Sequence, residues 1–579
     1  MTVVIAPPVE GLTNIEGVLD CFALPFAFTG ERSRSGPLTW GQEHMYEELG
    51  YVYPNSSMMN QCVGVEIRPD VTAEAVRKAL RDVVERFESL RTVYPLSPDG
   101  PVQQVVGDGE YVMQVADVAP DRIIPASRAI LERMMARAYE LDTELPVRAT
   151  LVRSGGQPRW LILVICHIAV DHAVLMQLPG EFSAVAVDRG LPTGTTTRRQ
   201  PLDQAEIERS PAGRRTGERA IRHAESLLRA MPQTMLPRAL RVYEEPRYRY
   251  LVFESYALVM AVPVLSARHR TGATAVLYAG LAAVSAYANG LDRAVLNLTA
   301  MNRFDEATRG AVGTYHQEVF AVVELGDVPM AEAIRRSGSA VLRSLRHGRF
   351  PVAERAALHR RIERERGMRL DTSCTVNHRP GHRIGAVVPA EVTAGLLAEA
   401  AAKTRWRWID GDNSSGATFF LHVDETPVSL KMRFVVDTSL ISPEEALVWL
   451  QSMERILVRE VHTETTLGEL GALTGLWSPE RDHHWLTVDS SWVDLRAVSE
   501  LVRRVAATED ADVFESGGSL VAYLPRRTTT VAPEDFRVDC LAALSGHRNA
   551  MVPHRVVLTD GLPASRDLLG WRQLEVAGG

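Results

Sequence analysis

The chain has 579 residues, of which 46% are hydrophobic and 23% charged. That composition excludes intrinsic disorder and points to a globular protein of two to four compact units. The net charge of -8 excludes the basic balance of a nucleic-acid protein. The five scattered cysteines, Cys21, Cys62, Cys166, Cys374 and Cys540, form no Cys-x-x-Cys pair; this argues against a zinc knuckle or a disulfide framework and fits a reducing cytoplasm.

In chain order, no basic leader with an apolar run opens the sequence and no apolar stretch of about 18 residues follows, so neither a signal peptide nor a membrane span is expected. CFALPFAF reads as a strand, and Thr39 as the cap of a helix over 38–49. Val63–Ile67 predicts a strand, and Thr72 caps a helix from Ala73 to about Glu88 whose Val76, Leu80, Val83 and Val84 share a face. Strands are expected at VMQVADV, Val147–Val152 and Leu161–Ile165, then helical spacing over 168–187. The Gly/Thr/Arg/Pro-rich segment 189–215 reads as a connector, followed by a helix over 218–231. Strands are predicted at 249–254, 258–262, 295–299 and 318–325, and a helix at 274–288. The mixed run of Arg360, Arg361, Glu363, Arg364, Glu365 and Arg366 is a solvated helix face. Beyond a turn-rich boundary near 466–485, the alternation of strand and helix through 486–579 describes a small α+β unit. Mixed elements of this kind predict α/β sandwiches rather than a bundle.

The passage LILVICHIAVDHAVLMQL at 161–178 carries the chemistry. An apolar strand ends at Cys166–His167, and Asp171 caps the helix that follows. His167 then sits in a strand-to-helix loop, and an imidazole there can take the proton of an amine or alcohol attacking a thioester. On its own the pattern reads more readily as a core histidine.

Further segments occur in an order that resembles the condensation domains of nonribosomal peptide synthetases: PLTWGQEHMY at 37–46, VVERFESLRTVYP at 83–95, CHIAVDH at 166–172 and MNRFDEATRGAVGTYHQ at 301–317. PLDQAEIERSPAGRR at 201–215 and CTVNHRPG at 374–381 resemble stand-alone actinobacterial members. The resemblance covers roughly 35–465. It implies two chloramphenicol-acetyltransferase-like lobes in a V, at 1–190 and 191–470, with a central tunnel, followed by a small α+β unit at 480–579. It also implies acyl- or peptidyl-carrier proteins as partners. Their phosphopantetheine arm would tether the acyl donor, with an acceptor that is either a small molecule or carrier-bound. No permanently bound cofactor, metal, nucleic acid or membrane is expected. His167 matches the catalytic histidine, and Asp171 and Arg303 match a supporting ion pair. Two further readings stay open: a non-catalytic recruitment domain, and an acyltransferase using coenzyme A thioesters.

Five positions depart from the family pattern. Cys166 replaces the first histidine and His172 replaces a glycine, while Tyr315, His316 and Gln317 stand where Phe-Val-Asn is usual. Cys166, His172, His316 and Gln317 are therefore candidates for the tunnel lining. His316 reads more readily as a plain strand residue, and Cys166 as a small buried hydrophobe. The C-terminal segments 492–505, 519–525 and 551–571 resemble the small subdomain of adenylating enzymes, but Trp571 follows Gly570 where that family has lysine. A docking or packing module without adenylation is expected. Asp482, His483 and His484 read as linker, and His378, Arg379 and His382 as an exposed loop near a Pro-Gly turn.

Overall fold

The computed structural model describes residues 11–187, 198–243, 245–379, 391–528, 532–545 and 547–577. The chain divides into two compact units. The first holds 1–218, 300–317 and 348–352; the second holds 219–299, 318–347 and 353–579. The sequence border at 190/191 thus falls inside the first unit, and 480–579 inside the second.

In the first unit, strands β1 (Val18–Thr29), β2 (Gln61–Glu66), β3 (Asp108–Val118), β4 (Val147–Ser154) and β5 (Gln157–Ile165) form one sheet, in the order β1-β3-β4-β5-β2. Only β3 and β4 run parallel, with Met113 opposite Ala149. Four helices cover its faces: α1 (Trp40–Tyr51), α2 (Ala73–Arg86), α3 (Ile123–Met135) and α4 (His172–Glu181). Val76, Leu80, Val83 and Val84 of α2 join Val174 and Leu178 of α4 over Val115, Leu151 and Leu163. Met45 and Leu49 of α1 join Ile130 and Met134 of α3 on the opposite face, over Val152, Ile162 and Val164. The period-two alternation of the strands feeds both layers, and each fully buried Val or Leu contributes about 1.5–3 kcal/mol. Helix α1 begins where expected, because Thr39 and Gln42 form a reciprocal capping box.

The second unit is built on a seven-stranded sheet of β6 (Tyr248–Ser255), β7 (Arg293–Ala300), β8 (Gln317–Glu324), β9 (Cys374–Arg379), β10 (Arg405–Asp412), β11 (Phe419–Glu425) and β12 (Leu430–Asp437), in the order β8-β7-β9-β11-β12-β6-β10. Helices α5 (Ala273–Tyr287) and α6 (Pro443–Glu460) pack together, and the side chain of Trp449 on α6 is fully buried.

Local sequence misleads in two places. Residues 258–262, expected as a strand, open a helix spanning Leu258–His269. The backbone N–H of Leu258 donates to the Ser255 hydroxyl at 2.9 Å, and the apolar run packs against α5 and α6. Tertiary burial overrides the strand preference of the valines. The connector is also largely helical, over Pro201–Arg209 and Pro211–Ala230. Proline fits the first helical turn at both starts, so it marks a beginning there rather than a break.

The C-terminal segment of the second unit carries the hairpin Trp485–Val488/Ser491–Asp494 and a three-stranded sheet of Asp512–Ser516, Ser519–Pro525 and Arg555–Thr559. Trp571 is fully buried, stacks on Tyr523 at 5.6 Å and donates its indole N–H to Asp512 at 2.9 Å. The position matched in sequence to the lysine of adenylating enzymes is therefore a core position here.

This segment is tied to the rest of its unit by polar contacts that are mostly buried. The Arg366 guanidinium donates to the Asp489 carboxylate at 2.6 Å and to the carbonyls of Leu228 and Met231. Gln233 donates its backbone N–H to Ser491 and its side-chain amide to the Ala550 carbonyl. Arg548 pairs with Asp371 at 2.5 Å. Deleting 480–579 removes the Ser491 and Ala550 partners of Gln233 and the Asp489 partner of Arg366, which keeps its bonds to Leu228 and Met231. The truncated chain is expected to unfold at a clearly lower temperature; an unchanged melting curve would show that these contacts contribute nothing.

Among the described residues, no helix is long and apolar enough to cross a membrane.

Candidate active site

The site is assembled within the first unit from three separate stretches of chain. β5 ends at Ile165, and residues 166–171 turn the chain into α4. Asp171 caps α4 by accepting from the Val174 N–H. The loop is held from two further directions: Ser89 donates its hydroxyl to the Ala169 carbonyl at 2.6 Å, and Thr314 donates to the His167 carbonyl at 2.5 Å.

Asp171 and Arg303 lie 132 positions apart in the chain and meet in a two-pronged ion pair, with closest contacts of 2.9 Å. Both side chains are buried, at 1% and 6% exposure. The remaining Arg303 donors go to the carbonyls of Thr308, Ala311 and Gly313, and the Tyr315 N–H donates to Asp171. The guanidinium also lies over the Tyr315 ring, 4.8 Å from its centre. The pair thus fixes the 300–317 segment against the loop that carries His167. Each charge has enough hydrogen bonds to offset much of its desolvation.

His167 is half-buried, and its Nδ1 lies 2.8 Å from the Val170 carbonyl. A carbonyl only accepts, so Nδ1 carries the hydrogen and Nε2 the lone pair. Burial lowers its pKa below 6.5, against the opposing pull of its backbone contacts and of Asp171. The imidazole is therefore a neutral base at pH 7.

Two further histidines gather here. The His316 ring centre lies 5.1 Å from that of His167 and 6.0 Å from that of His44. Burial, with His167 beside it, pushes His44 down to about 4. Burial and the neighbouring His167, His44 and Arg303 hold His316 well below the usual histidine range. Sequence reasoning missed His44, which lies half-buried beside the core position Met45 inside the first matched motif. Its signal was a polar residue next to a buried helical stripe. What brings it to the site is Gly41: a Cβ there would stand 2.7 Å from the Thr314 carbonyl oxygen and from Tyr315 backbone atoms. Only glycine lets α1 approach that closely.

The other sequence candidates fall as follows. His316 is 8% exposed, lies just before β8 and stands beside His167. His172 is the first residue of α4 and half-buried. Cys166 does not line a site: it is 2% exposed in the apolar layer with Ile162 and Val164, and burial pushes its thiol up to about 12. Gln317 is likewise withdrawn. It is fully buried, and its amide is engaged with both the carbonyl and the N–H of Phe350. Both side chains pack into the interior instead.

Elsewhere, His378 is engaged at both ring nitrogens, by Thr274 and Glu425, each at 2.8 Å, and Arg379 pairs with Asp424. Neither is a free loop residue, and His382 lies outside the described residues. Among the described residues, no group of three or more His, Cys, Asp or Glu is placed to hold a metal ion.

The chain resembles the isonitrile lipopeptide synthase of Mycobacterium tuberculosis, at 27% identity over 354 residues, which is 56% of this chain and 14% of that protein. It resembles the phosphinothricin tripeptide synthetase of Streptomyces viridochromogenes at 23% identity over 343 residues, 58% of this chain and 28% of that protein. It therefore spans less than a third of the length of either. Its fold is similar to the condensation domain of the monacolin K polyketide synthase, with a TM-score of 0.57 at 15% identity, covering 75% of this chain and 99% of that one. Residues 33–459 match the condensation-domain family model, and the match takes in all three stretches that build the site: the chain belongs to the condensation-domain family.

Proposed function

We propose that the chain is an acyltransferase that joins an acyl thioester to an amine, with a hydroxyl acceptor giving the ester. The donor is carried on the phosphopantetheine arm of a carrier protein, and His167 is the base. The observation that carries this reading is the hydrogen bond from His167 Nδ1 to Val170, which leaves the Nε2 lone pair of a neutral imidazole available. Nε2 takes the proton from the attacking nitrogen and returns it to the departing thiolate. Asp171 and Arg303 position the loop and do not touch substrate. Holding two bound reactants in register can supply about 7–11 kcal/mol of the acceleration. The scattered free cysteines fit a reducing, cytoplasmic compartment.

The test presents a carrier protein loaded with acyl chains from acetyl to palmitoyl to a panel of free amines, amino acid amides and amino alcohols, with product read by mass spectrometry. Amide or ester formation by the wild-type chain that disappears with His167→Ala is the expected result. Equal product from coenzyme A thioesters would remove the carrier protein from the reading, and absence of product from every pair would remove catalysis.

A further inference from the structure

An open cavity of about 660 Å³ lies in the second unit, lined by residues outside the three stretches that build the candidate active site. It runs along β8, the terminal strand of the seven-stranded sheet, and two helices wall it, Pro211–Ala230 and Met330–Arg346. The first helix contributes His223 and Leu227, four positions apart and so on one face. The second contributes Glu332, Arg336, Ala340 and Arg343, again at the spacing of one face. That helix is fastened along β8: the Ser344 hydroxyl donates to the Phe320 carbonyl and Arg336 to the Glu324 carbonyl, each at 3.0 Å. The walls are thus set before any ligand arrives.

The charges in the lining are unevenly matched. Arg335 and Arg336 share the one carboxylate of Glu332, each at 2.8 Å, and Glu324 pairs with Arg293 at 3.3 Å. Arg343 is exposed, and its guanidinium has no ion pair or hydrogen bond among the described residues. The His223 ring stacks on His347 at 4.4 Å; burial, with His347, Arg343 and Arg355 nearby, pushes its pKa down to about 4, so it is neutral at pH 7. Arg343 is therefore the cation with donors to spare. Beside it, Leu227, Val322 and Ala340 are only half-buried and leave apolar surface facing the cavity.

We propose that this cavity binds an organic carboxylate with an apolar body, of the class of a medium-chain fatty acid. The carboxylate takes the two-pronged donor fork of Arg343, and the chain lies along Leu227, Val322 and Ala340. One free guanidinium balances a single negative charge, while Glu332 and Glu324 oppose a second, so a carboxylate fits better than a phosphate dianion. The volume falls within the range of about 300–1,000 Å³ of small-molecule sites.

Octanoate is the probe, titrated into the full chain by calorimetry, with octanol and inorganic phosphate as comparisons. Saturable octanoate binding is expected, with octanol and phosphate both much weaker. Arg343→Met is expected to weaken octanoate about ten- to a hundredfold, the loss of a charge-assisted hydrogen bond, and Arg343→Lys to fall between. Ala340→Phe, which fills the cavity, is expected to weaken it as well, and Ala340→Leu repeats the comparison if the larger ring lowers the melting temperature. Absence of saturable octanoate binding overturns the proposal, as does octanol or phosphate binding as tightly as octanoate. A Kd within about threefold of wild type for Arg343→Met also overturns it, because that shift is too small for a lost charged partner. The measurement reads binding alone, so neither result bears on the acyl-transfer reading above.

Discussion

His167→Ala is expected to lower kcat for condensation by roughly a hundred- to ten-thousandfold, the range for loss of a positioned general base. KM for the carrier-bound donor is expected to stay near its wild-type value. The residual rate comes from orientation alone, which the Ala variant retains. The pH profile supplies a second reading of the same group. Burial lowers the folded pKa of His167 below 6.5, so the neutral base persists under mildly acid conditions. The rate is therefore expected to hold as pH falls from 7.5 to 6.5 and to decline only below that. A decline centred near or above 6.5 would contradict a buried, neutral His167. The Ala variant is expected to lose that limb of the profile.

Arg303→Ala is expected to destabilise the first unit by about 3–5 kcal/mol, because it leaves the Asp171 carboxylate buried without its counter-charge. Asp171 is 1% exposed in the pair, so little water is present to replace the guanidinium. The same change removes one donor each from the carbonyls of Thr308, Ala311 and Gly313. Asp171→Ala is expected to be similarly costly, and it also removes the cap of α4. The double variant Asp171→Leu with Arg303→Met is expected to recover much of the stability but not the activity, since the apolar pair lacks the directional bonds that set the loop. Hydrogen exchange through 300–317, with urea unfolding, distinguishes these outcomes. Additive losses in the double variant would show that the two side chains do not act as a pair.

The two predictions rest on different kinds of information, and that difference shows how the site was legible. His167 and Asp171 stand four positions apart at the end of an apolar strand, and a reader of the sequence alone finds them together. Arg303 was reached only through the order of several motifs matching one family. His44 was not reached at all. The spacing of Thr39, Gln42 and Met45 predicts a capped helix, but nothing in a helical period states which distant segment that helix touches. Gly41 settles the matter by allowing backbone contact with Thr314 and Tyr315. For Cys166 and Gln317 the family resemblance placed the residues near the loop that carries His167, while packing buried their side chains in the interior.

The sequence by itself determined most of the elements and the loop that carries His167. Hydrophobic period and caps are local properties: they set α1, α2 and most of the strands, and they placed His167 just beyond β5. Tertiary structure decided what surrounds that histidine. It converted 258–269 to helix, because burial against α5 and α6 outweighs local strand preference. It also brought His44 and His316 beside His167 from segments far away in the chain. The physical reason is that proximity between remote residues depends on packing and on a few long-range bonds, chiefly Asp171 with Arg303, whereas local pattern encodes only which face a residue presents.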